Sequence, residues 1–414
     1  MKILTISQSD SNGGAARAAY RIHKALRQQN IDSHMWVNDA GTNSEHVCGP
    51  DQLFIQGKNK LRKLSGSLIP FSMRSSNKSL HSPAILSSQW PEKINSSDCD
   101  IVHMHWINRE MLSISDIAKI TKPIVWTLHD MWPFCGAEHY TEDLRWKSGY
   151  FKHNRPDHEY GLDINRWVWE RKRKWWHKPM HIVTPSHWLG DCVRQSYLMK
   201  GMPVRVIKNP IDTDVWSPVD KYEARKRLGL PVDVPLLLFG AMGGGADKRK
   251  GVDLLGAALK ALHHELPDIQ LMILGQDQSG ATENNDYPVH YLGHIGDDNI
   301  LREIYSAADA MVIPSRQDNL PNTGVESLSC ATPVIAFDVC GLPDIVRHKH
   351  TGYLARAFDI DDLAKGILWV LSEAVNNLLS EKARNDAISR FSCKVVAKQY
   401  AELYENVHDA VLCE

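Results

Sequence analysis

The sequence predicts an α/β protein of two domains, each a parallel sheet with helices on both faces. Short apolar runs of strand length alternate with longer amphipathic stretches, and that alternation starts again after residue 209. The length agrees, because 414 residues exceed what one hydrophobic core organises.

In the first half the strand candidates are Ile3–Ile6, Ile101–His105, Ile124–Leu128 and Ile182–Thr184. Ala15–Gln29 reads as a helix, since Ala19, Ile22, His23 and Leu26 recur at helical spacing. Asn209-Pro210-Ile211-Asp212 reads as a linker. Beyond it, Pro235–Phe239, Ile269–Leu274, Ala310–Ile313 and Pro333–Phe337 read as strands. Leu254–Glu265, Asn299–Ala307 and Gly324–Ser329 read as helices. A last helical stretch, about Ser392 to Val411, has no strand after it.

Composition narrows the class. Hydrophobic residues at 43% and charged residues at 23% suit a globular chain. Lys and Arg (48) nearly balance Asp and Glu (49), which argues against a dedicated nucleic-acid binder. Eight cysteines form no Cys-x-x-Cys pair, which points to free thiols in a reducing compartment and not to a zinc site or disulfide framework. The N-terminus lacks the apolar region of a signal peptide, and no apolar run approaches the roughly 20 residues of a membrane span. The expected location is the cytosol, with surface association to a membrane left open.

Gly13-Gly14 follows the first strand and opens a helix. Glycines there let backbone N–H groups approach a phosphate, or they serve a tight turn only. The pair is not the G-x-G-x-x-G dinucleotide fingerprint, which weakens a hydride-transferring dehydrogenase. The second half repeats the device: Gly240 to Gly251 is glycine-rich and carries Lys248, Arg249 and Lys250 before a helix. Fixed cations beside a helix start suit a diphosphate, while the alternative is a surface loop with solvated lysines. Pro314 to Glu326 leaves a strand, crosses a polar loop and enters a helix, with Asp318 on the loop and Glu326 in the helix. A loop carboxylate beside helix-start N–H groups can read sugar hydroxyls, and a second carboxylate can grip a ribose. Satisfaction of the helix dipole would account for Asp318 but not for the whole string.

These residues resemble glycosyltransferase family 4, a group of retaining enzymes with the GT-B fold. Its Glu-x7-Glu hallmark is matched by Asp318 through Glu326. In order along the chain, the Gly13-Gly14 turn, Asp100 to His105, Thr127 to Asp130, Thr184-Pro185-Ser186, the Asn209 linker, Lys250-Gly251 and Gly341 to Val346 extend the likeness over nearly the whole sequence.

The resemblance implies two facing Rossmann-like domains with a cleft between them, and a last helix that crosses back to the first domain. Residues 1–208 plus 392–414 would form the acceptor side, and 209–391 the nucleotide-sugar side. It further implies that Lys250 binds the donor diphosphate, with Arg249 or Lys248 replacing the arginine absent at Ala241. Gly13 and Gly14 would donate backbone hydrogen bonds. Asp318, with backbone groups of Asn319, Leu320 and Asn322, would hold the transferred sugar, and Glu326 the nucleotide ribose. His105 would lie beside the reacting centre, making His105 and Asp318 the catalytic candidates. No metal or resident cofactor is implied. Asp318 is one methylene shorter than the usual glutamate, and Pro321 removes one backbone donor. Base contacts would fall largely to the backbone around Leu292 to Ile295, leaving uridine, guanosine and adenosine open.

Two basic stretches bear on the acceptor. Ile55–His81 contains Lys58, Lys60, Arg62, Lys63, Arg74 and Lys78 among leucines and no acidic residue. Arg166–Lys178 sets Trp167, Trp169, Trp175 and Trp176 among Arg171, Lys172, Arg173 and Lys174. Such mixtures suit anionic lipid headgroups; the alternative buries the tryptophans and leaves the charges in water. The expected function is transfer of a hexose-type sugar from a nucleotide diphosphate sugar to a glycan or polyprenyl-linked acceptor, in surface-polysaccharide synthesis (lipopolysaccharide or capsule) at the inner face of the cytoplasmic membrane. The alternative is a non-catalytic GT-B protein that binds nucleotide or glycan as partner of another transferase.

Overall fold

A computed structural model describes residues 1–50, 53–68, 73–240, 247–276, 287–374 and 377–412. The glycine-rich stretch 241–246 with Ala241, Ile69 and Phe71 of the first basic stretch, and Cys413 lie outside the described residues. The chain divides into two compact units, Met1–Lys208 with Val396–Glu414, and Asn209–Val395.

The first unit runs β1 (Lys2–Ser9), α1 (Gly14–Gln28), β2 (Asp32–Asp39), β3 (Val47–Cys48), α2 (Leu53–Leu68), β4 (Met73–Arg74), α3 (Trp90–Asn95), β5 (Ile101–Met104) and α4 (Ile114–Lys119). It continues with β6 (Ile124–Thr127), α5 (Arg145–Ser148), β7 (Tyr160–Gly161), α6 (Ile164–Trp175), β8 (His181–Thr184), α7 (His187–Gln195) and β9 (Val204–Val206). Seven strands form one parallel sheet in the order β3-β2-β1-β5-β6-β8-β9. β4 and β7 pair antiparallel in a short ribbon. Every residue of β5 and β6 is buried, as a parallel sheet covered on both faces requires.

The second unit runs α8 (Lys221–Leu228), β10 (Leu236–Gly240), α9 (Val252–Leu262), β11 (Gln270–Leu274), β12 (Val289–Gly293), α10 (Asp298–Ala307) and β13 (Ala310–Ile313). Then follow α11 (Asn322–Ser329), β14 (Val334–Phe337), β15 (Gly352–Ala355), α12 (Ile360–Ala374) and α13 (Asn377–Phe391). Six parallel strands take the order β12-β11-β10-β13-β14-β15. The two-residue period of β10 shows why both faces need cover. Leu236 and Leu238 enter one apolar cluster, and Leu237 and Phe239 enter another on the opposite face.

The last helix, α14 (Cys393–Leu412), leaves the second unit and joins the first. Val396, Ala397, Tyr400, Leu403, Tyr404 and Val407 are its buried residues, a stripe at helical spacing. Its start is pinned to the linker: Ile211 N–H donates to the Phe391 carbonyl (2.7 Å), and Cys393 N–H donates to the Ile211 carbonyl (3.1 Å).

Candidate functional site

In an open parallel sheet a crevice forms beyond the carboxyl ends of the strands where strand order reverses. In the second unit that reversal falls between β10 and β13. The segments after these two strands bring Arg249 and Lys250 together with Asp318. Lys248–Lys250 wind into a single 3₁₀ turn, so α9 starts at Val252 and not directly on the basic run. Gly251 then takes φ 70°, and a Cβ there would stand 2.0 Å from the Pro314 carbonyl oxygen. Only glycine permits this approach of the basic turn to the loop that follows β13.

Backbone bonds fix the two segments together. Arg316 N–H donates to the Arg249 carbonyl at 2.8 Å, and the Arg249 guanidinium donates to the Gln317 carbonyl at 2.8 Å. Arg316 itself forks onto Asp253 at 2.8 and 2.6 Å. The Lys250 ammonium donates to Asp318 Oδ2 at 2.6 Å, and Arg249 lies 3.7 Å from Oδ1. Burial raises the Asp318 pKa, but the charges of Lys250 and Arg249 outweigh it and hold the carboxyl below its ordinary range. The two groups assigned separately to diphosphate and sugar are therefore paired with each other. Arg249 also binds Asp247 at 3.0 Å, which makes it a brace of the turn.

Asn319 is buried beside Asp318, and its N–H donates to Asp318 Oδ1 at 3.1 Å. The Leu320 side chain lies in the apolar core, so that residue can offer a ligand only its backbone. Asn322 opens α11, with Pro321 as its N-cap, and its Oδ1 accepts from Asn209 at 3.3 Å. Glu326 is one turn into α11 and buried; its Oε2 accepts from the Tyr305 hydroxyl at 2.8 Å.

In the first unit strand order reverses between β1 and β5, and His105 follows β5 directly. It is buried in a histidine cluster, stacked on His129 and tilted by 44° against His103. The His105 and His103 rings are 4.1 Å apart, and His105 Nδ1 is 3.1 Å from His129 Nε2. Its Nε2 is buried without a hydrogen-bond partner among the described residues. Burial first, then the neighbouring histidines, hold His105 well below the ordinary range, so it is a neutral imidazole. Gly13 caps α1 at φ 96° with no side-chain bond, and Gly14 is the first helical residue. A positive φ at this cap explains the first glycine.

One network escapes sequence reasoning. Asp130 accepts from His139 Nδ1 (2.6 Å), Trp106 Nε1 (2.9 Å) and the Trp132 N–H (3.0 Å), while Ser82 bonds His139 Nε2 at 2.8 Å. All but Trp106 are buried, so the Ser-His-Asp arrangement has no open face for a substrate and acts as a clamp on the segments after β5 and β6. The basic stretches also differ from both readings. In α6, Trp169 is buried, and so is Lys172, whose ammonium donates to the carbonyls of Trp132, Cys135 and Gly136. Burial pushes that ammonium down to about 7. Trp167 and Trp175 remain exposed. In α2, Arg62 turns onto the carbonyls of Leu86, Ser87 and Glu110, and Lys63 pairs with Asp39.

Two Rossmann-like domains with charged groups gathered at the switch point of the second define the GT-B class of glycosyltransferases. Residues 12–215 match the family described as Glycosyltransferase Family 4, and residues 236–373 match the one described as Glycosyl transferases group 1. The chain belongs to the family 4 glycosyltransferases. It is 29% identical over 251 residues to the alpha-maltose-1-phosphate synthase of Mycolicibacterium smegmatis, a match that covers 55% of this chain and 63% of that protein. The chain thus spans less than two thirds of the length of that curated relative. Among solved structures, the sucrose-phosphate synthase of Thermosynechococcus elongatus superposes with TM-score 0.67 at 18% identity, over 99% of this chain and 100% of that one. Anabaena Alr3699/HepE, solved with UDP and glucose, gives 0.63 at 17% identity, over 98% and 99%. Among the described residues no group of three or more His, Cys, Asp or Glu is placed to hold a metal ion, and no helix is long and apolar enough to cross a membrane.

Proposed function

We propose that the protein transfers a hexose-type unit from a nucleoside diphosphate sugar to a hydroxyl of a glycan or polyprenyl-linked oligosaccharide, with retention at the anomeric carbon. The observation that carries this reading is the Lys250–Asp318 pair at the sheet's switch point. A donor diphosphate takes the Lys250 ammonium from Asp318 and frees the carboxylate to accept from sugar hydroxyls. One buried anion replaces another around the same cation, which avoids the cost of an uncompensated charge. Glu326, held by Tyr305, accepts from the ribose hydroxyls. Gly13 and Gly14 supply N–H groups at the start of α1.

His105, as a neutral imidazole, offers its unpartnered Nε2 to a sugar hydroxyl near the anomeric carbon. In this reading the departing diphosphate takes the acceptor proton on the face it leaves. The protein supplies positioning and stabilisation of phosphate charge, and no resident metal or cofactor takes part. A neighbour solved with UDP and glucose, and a relative named for a maltose phosphate, support a uridine nucleotide and a hexose as first choices. Leu61 and Leu64 of α2, both exposed, support an acceptor at an anionic membrane, on the cytoplasmic face, as in polysaccharide assembly.

The test is incubation with UDP-, GDP- and ADP-hexoses, with nucleoside diphosphate release measured and the product anomer read by NMR. Release with retention is expected. Tight nucleotide binding with neither transfer nor slow hydrolysis overturns the enzyme reading and favours a non-catalytic partner, a reading the locked Lys250–Asp318 pair also fits.

A further inference from the structure

A cavity of about 460 Å³ lies within the first unit, between the β2–β3 edge of the sheet, α2 and α3. Its size falls in the roughly 300–1,000 Å³ range of small-ligand sites. Two half-buried indoles, Trp36 from β2 and Trp90 from α3, line it with ring centroids 6.4 Å apart and planes tilted by 42°. Neither indole N–H has a hydrogen-bond partner among the described residues.

Among the described residues the lining also holds two cations, Arg62 and Lys93, and no carboxylate. Arg62 spends its donors on main-chain carbonyls, so only its charge reaches the cavity. Lys93 is exposed and has no ion-pair partner among the described residues.

Hydrogen bonds connect this cavity, along the carboxyl ends of β2, β1 and β5, to the segment that carries His105. Asn59 donates to Asn38 Oδ1 and Asn38 to Gln8 Oε1, both at 3.2 Å. Gln8 N–H then donates to the carbonyl of Trp106, the residue after His105, at 2.8 Å.

We propose that this cavity binds a saccharide bearing an acidic group, a carboxylate or a phosphate, and is the seat of the acceptor's sugar. Indole faces suit the apolar C–H face of a pyranose ring, and the paired amides and free indole N–H groups suit its hydroxyls. The two cations of the lining, Arg62 and Lys93, favour a charged sugar over a neutral one. The acceptor role rests on the transferase reading above; the binding does not.

Cys48 provides a readout independent of catalysis, since its thiol is exposed and lines the cavity. The experiment follows alkylation of Cys48 on the full chain by peptide mass spectrometry, with glucuronate, glucose 6-phosphate, glucose and inorganic phosphate as probes. Glucuronate or glucose 6-phosphate is expected to slow alkylation saturably, about tenfold at ten times its dissociation constant. Which of the two protects better identifies the acidic group. Lys93→Glu, an exposed change, is expected to abolish that protection, and Trp90→Ala to do so in a folded variant.

Absence of protection by both acidic sugars, or equal protection by glucose or by inorganic phosphate, overturns the proposal. Protection that survives Lys93→Glu does the same. Nucleotide release from the donor, measured separately on the unmodified chain, tests the transferase reading, so the two failures are told apart.

Discussion

Tyr404, on the returning helix α14, bonds through its hydroxyl to His103 Nδ1 on β5 at 2.7 Å. The other ring nitrogen of His103 bonds Thr127 Oγ1 at 2.8 Å, and Thr127 bonds Tyr400 at 3.0 Å. Two tyrosines four residues apart on one helical face thus hold the histidine whose ring lies 4.1 Å from that of His105. Tyr404→Phe leaves a buried imidazole nitrogen without a partner, so stability is expected to fall by about 1–3 kcal/mol. Urea unfolding should show a lower midpoint at unchanged slope. A midpoint equal to wild type would mean that the bond contributes nothing to the seating of α14.

The histidines set an acid limit. Burial lowers His103 to about 3 and His129 and His23 each to about 4, against an unfolded value near 6.5. The folded state therefore binds fewer protons than the unfolded state between those values. Their contribution is fully present above the unfolded pKa and is lost as pH falls from about 6.5 toward 3–4. Each contributes a slope of about 1.4 kcal/mol per pH unit in that window. Unfolding midpoints measured from pH 8 to pH 5 are expected to be flat at first and to drop below about 6.5. Constant stability down to pH 5 would contradict neutral buried histidines.

In the proposed reading Lys250 holds the donor diphosphate and Asp318 the sugar, so their substitutions should separate binding from turnover. Lys250→Ala removes the cation proposed to face the leaving diphosphate, and turnover is expected to fall about 10²–10³-fold. Asp318→Asn keeps the shape but releases Lys250 from its 2.6 Å partner. Nucleoside diphosphate alone should then bind more tightly, while turnover of the complete donor falls. Calorimetry with the diphosphate beside steady-state kinetics decides this. An unchanged diphosphate affinity in Asp318→Asn would rule out competition between the two anions.

Much of this site is legible in the residues, though the relations between them are not. Ala310–Ile313 is a short continuous apolar run, and the polar string from Pro314 to Glu326 marks both the loop and the helix it enters. Lys250 and Asp318 stand out singly, yet their pairing spans 68 positions and depends on strand order, which periodicity does not report. β2, eight residues long, shows how a parallel strand escapes. Its buried positions include Ser33, Met35 and Val37, but Ser33 is polar and Trp36 interrupts the contrast. Lys172 carries a signal that charge counting hides: it lies three and four residues after Trp169 and Val168, on the buried face of α6. The bonds of Tyr400 and Tyr404 leave no trace in spacing, since an apolar stripe is all their helix needs.

The outward face of α2 gives the membrane reading its sharpest test. Leu61 and Leu64 are three residues apart, share a helical face, and are 65% and 59% exposed. Lys60 is exposed beside them, whereas Arg62 and Lys63 turn toward the protein. Insertion of a leucine into a lipid surface is worth about 1.5–3 kcal/mol, and a lysine near anionic headgroups about 1 kcal/mol. The apolar part outweighs the charged part, so binding should weaken only moderately with salt. The double substitution Leu61→Ser with Leu64→Ser is expected to lower the flotation of the chain with phosphatidylglycerol vesicles by at least about tenfold. Trp167 and Trp175, exposed on α6, form the comparison pair. If their replacement by serine abolishes flotation and the leucine pair does not, the docking face is α6; if the wild-type chain does not float, neither helix docks on an anionic membrane.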